Sequence, residues 1–546
     1  MSRRQAKTHS FVRSLLEGRL DLEPITPYPS LSHGRVRQIE DLLREIRQDS
    51  TPRPASESLR AWELLQRPIE WPTPLLSRVI RQVGATDTSS ALSATAHLAL
   101  GARLVRAWGS EAQSRALLDS KPVFCAFALT EEAPGSDISH IQTYAEPTDD
   151  GFVISGTKHW VTNATSATHF VVVARTAPPR AADKPKLTTF FIRNGPGIEI
   201  TPVPSEVLPG AGVGRVQFNR VHVKHSDVLG SVGKGFRVVM SGLSEARLLV
   251  ASAVLGACIR VYNDTIARLN ARRAFGRPVA RFPSVQGRIA GMLAEIVAME
   301  SLVHACAGVS DIGQPVDPVE RAVVRLAVSR GAARVFSAAR ELHGAAAFAG
   351  TASASRHWAN AQALTLLDGS DMALESYILL EGTRELRHRL ATFAHAPDMI
   401  ARVDAGASLL LDRAKERIRK ATAQEVPHVD YRELGEKVSH LGHCVRQAVE
   451  KHGADLVEKQ HVHSRLASAT SELATWTALC ARLKTEIETS GEVGAHRMSA
   501  VAEIWTRSAG SRLRSLFEDM ESNDDVQKDG VANLAYSDES YPFDVF

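Results

Sequence analysis

The order in which structural chemistries follow one another constrains this chain's fold more than any single residue does. Residues 123–234 carry β-rich runs: Phe152-Val153-Ile154, Phe170-Val171-Val172-Val173, Thr188-Thr189-Phe190-Phe191-Ile192 and Val216-Gln217-Phe218. Gly, Pro, Asp and Asn punctuate the intervals, which reads as a small β-domain. On either side the pattern is helical. Residues 1–122 offer Trp62, Leu64 and Leu65 for a buried face, and Leu92 to Arg106 is Ala/Leu-rich at helical spacing. Residues 235–395 form long Ala/Leu/Val tracts broken near Gly276–Pro283, Gly313–Pro318 and Gly344–Gly350. Residues 396–546 are helical again: Val462, Leu466, Ala469, Leu473, Trp476, Cys480 and Leu483 recur at three- and four-residue steps. The stretch from Glu518 to Phe546 reads as an acidic, turn-rich, flexible tail. The expected fold class is mainly α, with an N-terminal helical domain (1–122), a middle β-barrel or sandwich domain (123–234), a helical bundle (235–395) and an extra helical domain (396–546). Helices, then a β-domain, then helices argues against Rossmann, TIM-barrel and propeller layouts, and no G-x-G-x-x-G occurs.

Composition excludes further classes. The chain has 546 residues, enough for three or four domains, and 44% hydrophobic with 23% charged residues is globular usage, not disorder. A net charge of +4 over this length is too weak to argue for nucleic acid. Cys125, Cys258, Cys306, Cys444 and Cys480 are scattered and unpaired, pointing to a reducing compartment without a disulfide framework or zinc site. His461 and His463, two apart on a helix, face different ways, so no metal site is expected there. No unbroken run of about 18 apolar residues appears, so no membrane span is expected; Leu248 to Ala257 is short and flanked by Arg247 and Arg260. Arg3, Arg4, Lys7 and Arg13 precede the first acid, Glu17, in the manner of a mitochondrial transit peptide, yet lack a clean cleavage signal. A cytoplasmic protein is expected, with the mitochondrial matrix as the alternative.

Two segments of the β-domain carry chemistry. Phe124 to Leu129 leads into Thr130-Glu131, then Gly135-Ser136-Asp137: a strand ending in a hydroxyl, then a turn whose backbone N–H groups can receive a carbonyl or phosphate oxygen. Some 20 residues on comes Gly156-Thr-Lys-His-Trp160-Val-Thr162-Asn163. Strand alternation would put Trp160 and Thr162 on one face, an indole beside a hydroxyl, which suits a flat polar heteroaromatic ring. Either segment alone is more often a plain turn or a core tryptophan.

Together, in this order, they resemble the acyl-CoA dehydrogenase family, whose signature runs Thr-Glu-x-x-x-Gly-Ser-Asp and then Gly-x-Lys-x-Trp-x-Thr-Asn. Trp108-Gly-Ser-Glu-Ala-Gln113, Leu229-Gly-Ser-Val-Gly-Lys-Gly235-Phe236 and Arg272-Arg-Ala-Phe275-Gly276-Arg-Pro with Gln286 extend the resemblance over roughly residues 90–390. It implies FAD, with Thr130 on the pyrimidine edge of the flavin, Trp160 over the ring system and Thr162 towards N5. The Gly135-Ser136 turn would meet flavin phosphate or the thioester end of the substrate. Arg272, Phe275 and Gln286 would reach FAD held mainly by a neighbouring subunit, which implies a homodimer or homotetramer. Implied partners are an acyl thioester, on CoA or on a carrier protein, and an external acceptor such as an electron-transfer flavoprotein. The chain departs from the family pattern at Pro283, where a glutamine is usual. It departs again at Arg340-Glu-Leu-His343-Gly344-Ala-Ala-Ala-Phe348, which has fewer glycines for close backbone approach to FAD, and at Ala359-Asn360, where an Arg-Asp pair is usual.

The implied reaction, α,β-dehydrogenation, needs a carboxylate base. Counting on from Phe348 places the family's base register at Leu367-Asp368-Gly369-Ser370-Asp371, so Asp368 is the expected base, lying with Arg247 and Ser136 in the substrate site. Asp371 is the expected N-cap of the next helix. Glu381, in Leu380-Glu381-Gly382-Thr383, is the runner-up. Glu245 is set aside, because Ala246 and not a carboxylate precedes Arg247. Arg413, Lys415, Arg417, Arg419 and Lys420 form a basic helix, read as a solvated face; by analogy with long family members, membrane-surface contact is its second reading. The rival functions are a flavin oxidase or monooxygenase on the same fold, and a non-catalytic scaffold that kept it.

Overall fold

The computed structural model describes residues 10–29, 31, 33–49, 51, 53–118, 123–133, 135–176, 186–309, 317–348, 353–394, 431–538 and 541. The basic helix expected at Arg413–Lys420 and the basic residues Arg3, Arg4 and Lys7 lie outside the described residues.

A helix that is apolar on all sides has nowhere to go but the centre. The middle of helix α8 (Gly235–Ala271) is such a stretch apart from Arg247, and every residue from Ala246 to Cys258 along it is buried. Before it come α1 (Phe11–Leu16), α2 (His33–Gln48), α3 (Ala55–Ala61), α4 (Thr73–Thr86), α5 (Thr88–His97), α6 (Arg103–Trp108) and α7 (Glu111–Ala116). Helix α4 lies against α8 at backbone distance because both carry glycine at the crossing. A Cβ at Gly256 would sit 1.9 Å from the Arg81 carbonyl, and one at Gly84 would sit 2.3 Å from that of Ala253. After α8 come α9 (Pro283–Val309), α10 (Pro318–His343), α11 (Ser353–Leu364), α12 (Asp371–Gly382) and α13 (Arg384–Ala394). Helices α8 and α9 are each long and apolar enough to cross a membrane by composition, contrary to the expectation from unbroken runs, but most of each apolar stretch is buried inside the protein.

Among the described residues eight strands fill the β-tract: β1 (Cys125–Ala128), β2 (Tyr144–Pro147), β3 (Gly151–Val161), β4 (His169–Arg175), β5 (Leu187–Arg193), β6 (Ile198–Pro202), β7 (Gly214–Lys224) and β8 (Val228–Leu229). Their order is β6-β7-β3-β2-β4-β5-β8, with β1 against β4. Phe152, Ile154, Phe170, Val172, Phe190 and Phe218 close its core. Polar side chains join sheet to helices. His97 accepts from the Cys125 N–H at Nδ1 (3.2 Å) and bonds the Leu65 carbonyl through Nε2 (2.8 Å). Burial holds its imidazole down to about 4, so it is neutral with its proton on Nε2. Asn163 donates to the carbonyls of Ser93 and Cys125, both at 3.0 Å, and accepts from the Ser93 hydroxyl at 2.5 Å. Gln113 completes a capping box with Ser110 and donates to the Ser226 carbonyl at 3.1 Å, latching α7 to the sheet's exit.

The last region holds α14 (Tyr431–His452), α15 (Gln460–Glu521, broken at Gly491, φ +68°) and α16 (Asp525–Asp538). The expected stripe of α15 is buried from Leu466 to Leu483, with Val462 at its edge. It lies on α9, α10 and α12, where Arg334 and Arg512 bridge Glu295 and Glu472. Asp525–Asp538 is a helix and not the turn-rich tail expected: Arg465 holds Asp525 at 2.7 Å and His461 holds Asp529 at 3.1 Å.

One ion pair lies wholly inside the β-domain. Lys158, fully buried, donates to Glu131 and to the Leu129 carbonyl, both at 2.9 Å; Glu131 also accepts from the Thr143 hydroxyl (2.6 Å) and the Gln142 and Thr143 N–H groups. Burial pulls the Lys158 ammonium down to about 8 although Glu131 pulls it up, and Lys158 and these donors hold Glu131 below the usual carboxylate range despite its burial. Removing one partner strands the other charge, so Glu131→Gln or Lys158→Met should each cost about 3–5 kcal/mol, read as a large fall in thermal midpoint. The double variant should recover much of that loss; independent, additive losses would contradict a paired role.

Candidate active site

The turn between α11 and α12 carries Asp368. Asp368 (φ +59°) and Gly369 (φ +103°) both take left-handed backbone, which Asp tolerates and Gly prefers. Ser370, not Asp371, caps α12, accepting from the Ala373 N–H at 3.4 Å; Asp371 is the first helical residue and accepts from the Ser329 hydroxyl at 2.8 Å. Both are good capping residues, and the turn geometry selects the nearer one. From α8, Arg247 donates through Nε to the Asp368 carbonyl (3.2 Å) and stacks over the Tyr377 ring at 4.8 Å. Its Nη1 is buried without a hydrogen-bond partner among the described residues. From α10, Arg325, only 1% exposed, donates to the Leu364 carbonyl (2.6 Å) and lies 3.9 Å from Asp371 Oδ1.

Asp368 keeps some solvent contact yet is densely surrounded by protein. Burial raises its carboxyl to about 6, against the opposing pull of Arg325 and Arg247. The other carboxylates differ. Glu381 is shared between Arg13 (3.7 Å) and Arg384 (3.5 Å) where α12 meets the N-terminal helix α1. Glu245 is bound by Arg103 at 2.6 Å.

The remaining predicted residues fall in two groups. Thr130 is partly buried at the end of β1, its carbonyl taken by the His159 N–H at 2.9 Å. Gly135 and Ser136 are exposed in the following loop. Trp160 stands 62% exposed with φ +58°, where the β3–β7 register slips between Lys158 and Val161. That bulge breaks the simple alternation expected of Trp160 and Thr162, and Thr162 lies in the turn past β3, partly buried. Arg272, Phe275 and Gln286 form the second group, at the far end of α8. Arg272 ends that helix, Phe275 tips a hairpin of β9 (Arg273–Ala274) and β10 (Arg277–Pro278) at 94% exposure, and Gln286 is exposed. An outward indole, with Thr130 bonded through its carbonyl to the residue before it and Thr162 two residues on, has the chemistry a flat, polar-edged flavin ring takes. An exposed guanidinium, aromatic ring and amide have that of the rest of a dinucleotide.

Three family profiles match the chain: "Acyl-CoA dehydrogenase, middle domain" at residues 126–221, "Acyl-CoA dehydrogenase, C-terminal domain" at 233–379 and "ACAD9/ACADV, C-terminal domain" at 430–536, together more than half of its length. The chain belongs to the acyl-CoA dehydrogenase family. Members of this family are oxidoreductases acting on CH–CH bonds. The chain is similar to the very long-chain specific acyl-CoA dehydrogenase, mitochondrial, of Homo sapiens, 24% identical over 93% of this chain and 84% of that protein. In fold it is similar to an acyl-CoA dehydrogenase complexed with FAD from Bacillus anthracis (TM-score 0.78, 18% identity, 97% of this chain and 96% of that one). The prolyl acyl carrier protein oxidase AnaB also shares the fold (TM-score 0.59, 19% identity, 64% and 98%). The family match to 430–536 brings the extra helical region within the long form of the family.

Two of the three departures from the family pattern have structural employment. Asn360 accepts from the Leu208 N–H and donates to the Thr88 hydroxyl, both at 2.8 Å, joining α11 to α5. Gly344 (φ +59°) closes α10, while His343 bonds Thr265 at 3.1 Å.

A carboxyl raised on folding binds its proton more tightly in the native state. Its contribution to stability is therefore full below the usual carboxylate range and lost as pH rises through about 6. Asp368→Asn, which cannot ionise, should melt at a higher temperature than the wild type at pH 8, and the gap should close towards pH 4. A gap that does not change with pH would contradict the raised carboxyl.

Proposed function

We propose that the chain is an FAD-dependent dehydrogenase that introduces an α,β-double bond into an acyl thioester, with Asp368 as base. The observation that carries this reading is the Asp368 turn. A base for an α-proton must be ionised at working pH yet basic enough to accept a proton, and about 6 meets both demands. Asp is shorter than Glu by roughly 1.5 Å, so the acyl chain must lie close to the turn. Arg247, through its unpartnered Nη1, is available to hold the carboxylate while it is charged. Thr130, Trp160, Thr162 and the Gly135-Ser136 loop would hold FAD and the thioester end of the substrate. FAD, when bound, supplies the acceptor for the β-hydrogen and its electron pair.

The stretch of α8 from Arg247 to Arg272 spans roughly 38 Å, further than one dinucleotide reaches, so Arg272, Phe275 and Gln286 serve a second copy's cofactor. This supports a homodimer or homotetramer. Acyl-CoA is the substrate class the family membership supports, with a carrier-protein thioester as the second form, and an electron-transfer flavoprotein is the acceptor. Free, buried cysteines suit a reducing compartment, and the mitochondrial relative supports the matrix reading alongside the cytoplasmic one.

Asp368→Asn should abolish substrate-driven flavin bleaching while leaving the protein yellow, and Glu381→Gln should bleach normally. The reverse pattern would overturn the assignment. In the wild type, kcat/KM should fall as pH drops through about 6, because protonated Asp368 cannot accept the α-proton. Peroxide formed in step with turnover would support the oxidase reading instead.

A further inference from the structure

Arg325 sits in the first third of α10 between Val324 and Leu326, both fully buried, and is itself almost wholly buried. A guanidinium taken out of water at such a position costs several kcal/mol unless its surroundings answer the charge. What answers it is the end of α11 and the turn beyond. Nη2 donates to the Leu364 carbonyl at 2.6 Å and lies 3.4 Å from that of Leu367, and Nη1 faces Asp371 at 3.9 Å. The turn is thereby fixed at Leu364 and Leu367 by Arg325, at the Asp368 carbonyl by Arg247, and at Ser370 by its own cap.

We propose that Arg325 is a positioning residue for the reaction: from α10 it clamps the backbone that presents Asp368 and supplies a fixed positive charge behind that carboxylate. The inference rests on the reading of Asp368 as the base for its catalytic consequence only. The charges that act on Asp368 are Arg325 on α10 and Arg247 on α8; from α12, Asp371 faces Arg325 and Tyr377 faces Arg247. Asp371 opposes Arg325, because its negative charge spends part of the guanidinium's field. Removing Arg325 should therefore raise the protonation midpoint of Asp368, and removing Asp371, which frees the guanidinium's field, should lower it.

The test is the protonation midpoint of Asp368 in full-length holoenzyme carrying 13C-labelled aspartate. It is read as the carboxyl band that vanishes from infrared spectra in Asp368→Asn. Arg325→Met should raise the midpoint by about one pH unit, and Asp371→Asn should lower it. Arg325→Lys should recover part of the first shift. The acid limb of kcat should follow each midpoint, with KM little changed. A midpoint unmoved in both variants, or moved the same way in both while only thermal stability falls, would reduce Arg325 to a structural cap and overturn the proposal. Should Arg325→Met fail to fold, Arg325→Gln, a neutral donor that can still reach for the Leu364 carbonyl, carries the test: it should raise the midpoint, and an unmoved midpoint would overturn the proposal. Opposed midpoint shifts in a protein whose Asp368→Asn variant still bleaches would support the clamp and overturn the base assignment.

Discussion

A carboxylate withdrawn from water must be answered by positive charge or give up its own, and the region around Asp368 is arranged by that requirement. Two buried helices each carry an arginine to the same short turn, and both arginines donate to its backbone carbonyls. Arg247 rides on α8, which is central because its middle is otherwise apolar on every side; Arg325 rides on α10, which packs along it. The outcome is a compromise. Burial pushes the carboxyl up, the arginines pull it back, and the group comes to rest near 6. A single facing arginine at hydrogen-bond distance would have held it ionised and too weakly basic; none would have left it protonated. The arginines bond the backbone of the turn and leave the carboxylate oxygens unengaged by hydrogen bonds among the described residues.

The β-domain follows the same economy of charge. Its signature residues divide into those that build and those that face outward. Glu131 and Lys158 satisfy each other in the interior, while Asn163 and His97 tie the sheet to the helices. With that frame fixed, Thr130, Trp160 and Thr162 are delivered at its rim. The bulge after Lys158 turns Trp160 outward, so the indole is presented because the strand is irregular at that point. The extra helical region is bound to the bundle by charge as well as by its stripe: Glu300 on α9 takes Arg482 of α15 at 2.9 Å and also pairs with Arg81 of α4. The bundle therefore reads the extension as part of its own core.

Periodicity made the helical and β tracts legible, and the α15 stripe was readable residue by residue because a helix repeats its pattern. The Asp368 register came from counting on from Phe348 through the following helix, a local operation. What escaped depends on contacts between distant residues or on single-residue geometry. Lys158 meets Glu131, and Arg325 meets Leu364, across stretches in which nothing in the sequence announces a partner. Asp371 was expected to cap α12 and Ser370 does, since two adjacent capping residues leave the register open. Trp160 and Thr162 were expected on one face, but alternation holds only while a strand is regular. The acidic composition from Glu518 onward suggested a loose tail; an ion pair from Arg465 and a hydrogen bond with His461 turn that acidity into an anchor for α16.

The most direct measurement of the central claim is proton exchange at the substrate's α-carbon, uncoupled from oxidation. An acyl-CoA analogue that cannot lose its β-hydrogen would be incubated with holoenzyme in D2O and its α-protons followed by NMR. The account predicts rapid deuterium incorporation by the wild type and by Glu381→Gln, and none above background by Asp368→Asn. Exchange that survives in Asp368→Asn and disappears in Glu381→Gln would contradict it.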